Sequence, residues 1–102
     1  MLYNLLDNAF KYNRPGGDVR LSCEVSPANA VIRVSDTGVG MDQKQLDRIF
    51  TPFYRAQDSR TQNGLGLGLS VVKGIVDSLS GRILSESEKG TGTTFTVILP
   101  LS

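Results

Sequence analysis

The sequence contains no histidine. Histidine-based acid/base chemistry, histidine metal ligation and phosphorylation of histidine are therefore excluded within this chain. Cysteine is almost as scarce: Cys23 stands alone, so no internal disulfide can form, which fits a reducing compartment. Neither sign of charge is in excess. A net charge of +1, with acidic and basic residues interspersed, leaves no electrostatic footprint for nucleic acid or an anionic membrane. No apolar run approaches the roughly 20 residues of a membrane span, and no signal peptide precedes the first structured residues. What is present is 102 residues with 39% apolar and 21% charged side chains, the balance of one globular domain with a real core. No internal repeat and no linker divides it.

The stretch Asp36-Thr37-Gly38-Val39-Gly40 organises the rest. It closes a strand-like run in which Ile32 and Val34 share one face, and Asp36 has their parity. A carboxylate is thereby aimed at the buried layer, where an unpaired charge is costly and calls for a partner. Two readings are open: an ordinary Asp-Gly turn at a strand end, or a pocket floor that accepts a hydrogen bond from a bound polar ring.

Upstream, Met1 to Tyr12 reads as a helix with Leu2, Leu5, Leu6 and Ala9 as its apolar stripe. Asn4, Asn8 and Lys11 recur on another face, either as a solvated row or as amide oxygens and an ammonium facing a charged ligand. Asn13-Arg14-Pro15-Gly16-Gly17 breaks the helix. Val19, Leu21, Cys23 and Val25 then alternate with polar residues, which predicts a half-buried strand and a core position for Cys23. Pro27-Ala28-Asn29 turns the chain into the strand that ends at Asp36, a hairpin.

Downstream, Asp42 and Gln45 form a capping box with Met41 able to staple onto Leu46, predicting a helix to about Ile49 or Phe50. Thr51 to Gly64 has no apolar period, which fits either a mobile surface loop or a lid. Gly64-Leu65-Gly66-Leu67-Gly68 leads into a helix with Leu67, Val71, Ile75 and Leu79 four apart and Leu69, Val72 and Val76 beside them. A glycine-rich entry to a helix N-terminus is a natural phosphate seat, though weak as a signal by itself. Gly74 in mid-helix predicts close packing against the sheet, and Gly81 a C-terminal cap. Arg82 to Glu88 reads as a strand of mixed parity. Thr93 to Leu99 is the last, with Thr93, Phe95, Val97 and Leu99 facing inward.

Taken in order, Asn4-x3-Asn8-x2-Lys11-Tyr12, Asp36-x-Gly38-x-Gly40, Phe50-x2-Phe53, Gly64-x-Gly66-x-Gly68 and Gly90-x-Gly92-Thr93 resemble the N, G1, F, G2 and G3 boxes of sensor histidine kinase catalytic ATP-binding domains, members of the GHKL superfamily. Each block is weak alone. All five, over nearly the whole chain, are specific. The resemblance implies an α+β Bergerat fold: a two-layer sandwich of about three helices on one face of a mixed, mostly antiparallel sheet. Residues 1–102 would form one ATP-binding domain with a lid at about 50–66. The family has a further helix and strand before the N box, so an N-terminally truncated fragment lacking an edge strand is expected.

The resemblance also implies roles. Asn8 would offer its amide oxygen to Mg²⁺, with Asn4 supporting the phosphate-metal cluster, Lys11 charging the phosphates and Tyr12 lining the pocket. Asp36 would accept from the adenine amine beside Gly38 and Gly40, with Thr93 nearby. Phe53 and Tyr54 would anchor the lid, Arg55 would approach the γ-phosphate, and Gly64, Gly66, Leu67 and Gly68 would form hinge and phosphate seat. Cofactors would be ATP and Mg²⁺. The partner would be a histidine-bearing dimerisation domain and, indirectly, a response regulator, with no nucleic acid and no membrane contact by this domain, at a cytoplasmic location. Family members that hydrolyse ATP or phosphorylate serine have a glutamate where this chain has Asn4, and an amide is no useful base for water. That favours histidine phosphorylation over hydrolysis by a GHKL-type ATPase; a nucleotide-free interaction remnant of the same fold is the other alternative.

Overall fold

The computed structural model describes residues 2–11, 13–51 and 68–101. Its elements run α1 (Leu2–Lys11), β1 (Val19–Val25), β2 (Asn29–Asp36), α2 (Gln43–Leu46), α3 (Gly68–Ser78), β3 (Arg82–Glu88) and β4 (Gly92–Pro100). The strands form one sheet in the order β1-β2-β4-β3, and all three pairings are antiparallel. The three helices cover one face of it, the layered arrangement of a Bergerat fold.

Alternation along the strands decides the core. Val34, Phe95 and Val97 point under the helices and are almost fully buried. Val34 and Phe95 are cross-strand partners, as are Ile32 and Val97. Leu5 and Ala9 of α1 and Val72 and Val76 of α3 close the core from above. Phe50 meets Phe95 edge-on at 6.3 Å between ring centroids, which ties the end of the 47–50 turn to the sheet.

Three expectations about packing are corrected. Among the described residues the alternating face of β1 is covered only at Val19: Leu21 is 51% and Val25 71% exposed, and Cys23 is exposed rather than in the core. β1 is an edge strand, and period-two alternation identifies a strand without saying whether anything lies over it. On α3 the buried seam is Val72 and Val76 with Leu69, whereas Val71 and Leu79 are about half exposed. Among the described residues nothing packs on Gly74; a Cβ there would meet no atom within 4 Å.

The capping box of α2 is present in full. Asp42 Oδ1 accepts from the Gln45 N–H at 2.9 Å, and Gln45 Oε1 accepts from the Asp42 N–H at 2.9 Å, stabilisation of about 1 kcal/mol. The α-helix itself is shorter than expected, giving way after Leu46 to turns that run to Phe50. At the end of α3 the left-handed residue is Ser80, with φ 59°, one position before the expected glycine. Gly81 N–H closes the helix on the Val76 carbonyl at 2.9 Å. Gly81 is needed for another reason: a Cβ there would lie 2.6 Å from the Ile98 carbonyl oxygen.

Candidate functional site

Asp36 is the last residue of β2, opposite Thr93 of β4. It is half-buried, and Oδ1 accepts from the Gly38 N–H at 2.9 Å. Burial pushes its carboxyl above the usual aspartate range, against the lowering pull of backbone N–H groups of Gly38 and Thr93. An ionised carboxylate has about four acceptor sites, so two N–H groups leave capacity for a further donor.

The loop after Asp36 is held from several sides. Gly40 has φ 69° and a Cβ there would sit 2.0 Å from the Glu88 carbonyl oxygen. Its freedom thus serves close backbone packing on the β3–β4 turn. Gly92, with φ 139°, likewise lies against the Asp36 carbonyl, where a Cβ would clash at 2.0 Å. The Gly90 N–H donates to the Val39 carbonyl at 2.7 Å. The Met41 N–H donates to Ser87 Oγ at 2.7 Å, and that hydroxyl also pairs with Thr93 Oγ1 at 2.8 Å. Thr93 is buried, as its parity required, and its hydroxyl is engaged by Ser87. The segments after Asp36 and before Thr93 therefore form one framework behind the carboxylate.

The exit of α1 is joined to this framework. Thr37 Oγ1 accepts from the Asp18 N–H at 2.8 Å, and Asn13 Nδ2 donates to the Asp18 carbonyl at 2.9 Å. Arg14 Nη2 donates to the carbonyls of Gly38 at 2.9 Å and Gly90 at 2.6 Å. Asn13, Arg14, Thr37 and Ser87 were not singled out by sequence. Polar residues in turns carry no periodic signal, and only the tertiary fold shows what they reach.

An open hollow of about 420 Å³ lies at this end of the sheet, lined by Asp36, Thr37, Glu86, Ser87, Glu88 and Thr93 among others. Glu86 and Glu88 share the strand parity of Ser35 and Thr94, opposite to that of Asp36, so their charge belongs to the face away from the helices. On α1, Asn4 and Asn8 are half-buried one turn apart, and Lys11 is exposed with Nζ 3.0 Å from Asp7 Oδ2. Those amide oxygens suit a hard cation. Gly68 opens α3. Tyr12, Arg55, Gly64, Gly66 and Leu67, with the lid aromatics Phe53 and Tyr54, lie outside the described residues. Among the described residues no cluster of three or more His, Cys, Asp or Glu could hold a metal. No described helix is long and apolar enough to cross a membrane.

A sequence profile for the histidine kinase-, DNA gyrase B- and HSP90-like ATPases matches residues 1–102. The chain belongs to that family. Members generally bind Mg-ATP, and the carboxylate, amide oxygens and glycine-framed loop described above fit such a ligand. Among curated relatives, the chain is 42% identical over 109 residues to the autoinducer 2 sensor kinase/phosphatase LuxQ of Vibrio parahaemolyticus, covering 99% of this chain and 13% of that protein. It is 37% identical over 102 residues to the sensor protein SrrB of Staphylococcus aureus, covering 98% of this chain and 18% of that one. The chain thus spans less than a fifth of the length of these relatives. Among solved structures it matches the mycobacterial sensor histidine kinase MprB with a TM-score of 0.83 at 31% identity, over 95% of this chain and 67% of that one. The catalytic domain of histidine kinase ThkA matches at 0.80 and 27%, over 97% and 62%. This GHKL domain is therefore homologous to sensor histidine kinase catalytic domains.

Proposed function

We propose that this chain binds Mg-ATP and donates the γ-phosphate to a histidine on a separate dimerisation domain, as the catalytic part of a two-component sensor kinase that acts indirectly on a response regulator. The observation that carries the reading is Asp36: a half-buried carboxylate with spare acceptor capacity, framed by the 37–40 loop and β4. Bound Mg-ATP supplies a phosphoryl group that the chain can only position and stabilise.

Asp36 accepts a hydrogen bond from the exocyclic amine of adenine, a donor guanine lacks at that position. Gly38, Gly40 and Thr93 hold the carboxylate's surroundings. Asn8 presents its amide oxygen to the metal and Asn4 supports it from one turn away. Lys11, partly exposed in its pair with Asp7, contributes charge to the phosphates. Gly68, with Gly64, Gly66 and Leu67, forms the phosphate seat and hinge, Tyr12 lines the pocket, and Arg55 approaches the γ-phosphate. Asn4 in place of a carboxylate leaves water without a general base, which supports transfer over hydrolysis.

Calorimetric titration of Mg-ATP tests the reading. Asp36→Asn replaces an acceptor facing the amine with an amide and should weaken binding by about tenfold to a hundredfold, the loss of one charge-assisted hydrogen bond of about 1.5–3 kcal/mol. Circular dichroism should show the fold intact. Unchanged affinity would remove the basis for the assignment.

A further inference from the structure

Arg14 has no place in the five boxes, yet it makes the longest-range side-chain bridge at the site. Its one nitrogen Nη2 spans two carbonyls, Gly38 and Gly90, that are 24 and 76 residues away in sequence. These two glycines belong to the loop after Asp36 and to the β3–β4 turn. The same two segments touch directly through Gly90 N–H and the Val39 carbonyl. The backbone of Arg14 is itself fixed, because its N–H donates to Asn13 Oδ1 at 2.9 Å. Asn13 in turn is anchored on the Asp18 carbonyl. Three segments that meet nowhere in sequence are thus tied at one guanidinium: the exit of α1, the loop that carries Gly38, and the turn that carries Gly90.

The residue is solvent-exposed and its partners are carbonyls rather than carboxylates. A surface arginine ordinarily pairs with an acid or stays hydrated, and ordering its long stem costs rotamer entropy. A guanidinium suits this task because its planar fork presents several donors in fixed directions, whereas an ammonium is a compact point charge. The Gly38 carbonyl belongs to the residue whose N–H holds the Asp36 carboxylate. The two groups lie in adjacent peptide units that pivot on the Gly38 Cα, so holding the carbonyl limits the rotation that would swing the N–H away from the carboxylate.

We propose that Arg14 is a positioning residue for nucleotide binding, a strap that presets the 37–40 loop against the 89–91 turn and aligns Asp36 before the ligand arrives. This rests on the reading of Asp36 as the adenine acceptor. Preorganisation of this kind raises affinity by removing the cost of ordering a loop on binding. Arg14→Met keeps the apolar stem and removes every donor. It should weaken Mg-ATP binding about tenfold and accelerate amide hydrogen exchange at Gly90 in the ligand-free chain, with the melting temperature close to that of the parent. Arg14→Lys should recover part of both effects.

The parent chain and Asp36→Asn are titrated alongside. If the parent binds, Asp36→Asn binds about tenfold to a hundredfold more weakly, and Arg14→Met binds like the parent, the strap is refuted while the nucleotide reading stands. If the parent itself gives no Mg-ATP response, the nucleotide reading fails first and this inference falls with it. Should Arg14→Met not fold, nitrogen NMR of the parent's Arg14 guanidinium decides. Restricted rotation in the free chain, persisting with nucleotide, supports the strap; free rotation in both states overturns it.

Discussion

At the scale of single residues, Asp36 sets two opposing demands on pH. Burial raises its carboxyl above the ordinary aspartate value, and the N–H groups of Gly38 and Thr93 offset only part of that. Between the ordinary value and the raised one, the folded chain binds a proton that the unfolded chain has released. Its contribution to stability is then fully present below the ordinary value and is lost as pH rises through the raised one. The proposed nucleotide recognition needs the opposite state, since a protonated carboxyl loses acceptor capacity. We expect Mg-ATP affinity to fall on acidification at a higher pH than an ordinary aspartate would give, while this residue's contribution to stability grows. Titrations across pH 4–7 with parallel denaturant melts would check it, and Asp36→Asn should flatten both responses. A parent affinity independent of pH down to about 4, the ordinary aspartate range, would contradict the assignment. Asp36 was legible because its parity with Ile32 and Val34 is a one-dimensional signal. Its supporters Arg14, Thr37 and Ser87 were not, because they act across turns whose meeting is a property of the fold.

At the scale of elements, what sequence states clearly is periodicity and local chemistry. The helix over 2–11, the hairpin of β1 and β2, the capping box of α2 and the inward face of β4 all follow from signals within about ten residues. What sequence does not state is which side of an amphipathic element has a neighbour. Hence the β1 face with Leu21, Cys23 and Val25 is open, and the α3 seam falls on Val72 and Val76. The two glycine misreadings on α3 have the same origin and are useful. Gly74 is exposed with room for a methyl group, and Ser80 holds a left-handed φ of 59° that glycine adopts at no steric cost. Gly74→Ala should stabilise the chain by about 0.5–1 kcal/mol through helix propensity. Ser80→Gly should add about 1 kcal/mol by relieving backbone strain at the cap, less the added entropy of the unfolded chain. Urea melts at equal chain concentration measure both. A destabilising Gly74→Ala would mean that something outside the described residues packs on that face of α3.

For the molecule as a whole, the distribution of chemical groups supports the proposed phosphoryl transfer to a group outside this domain. The fold places a half-buried carboxylate at one end of the sheet and a row of amides on α1, which packs on β2 and α3. The proposed function uses them as binding groups. On the proposed reading Asn4 occupies the position of a base for water, which an amide cannot be, and these 102 residues hold no histidine to accept the phosphoryl group. On that reading the domain aligns a phosphoryl group and stabilises its charge, and the nucleophile comes from outside these residues. The expected outcome is specific. Incubated alone with radiolabelled ATP and magnesium, the chain should release phosphate at close to the uncatalysed rate and should acquire no acid-labile label. With a histidine-bearing helical dimerisation domain added, label should appear on that domain only, stable to base and lost in acid. Asp36→Asn should reduce the yield at low ATP and recover at high ATP, because it weakens binding of the base without touching the transfer geometry. Steady phosphate release by the chain alone would instead place it with the ATP-hydrolysing members of its family, and would mean that a residue other than one at position 4 activates water.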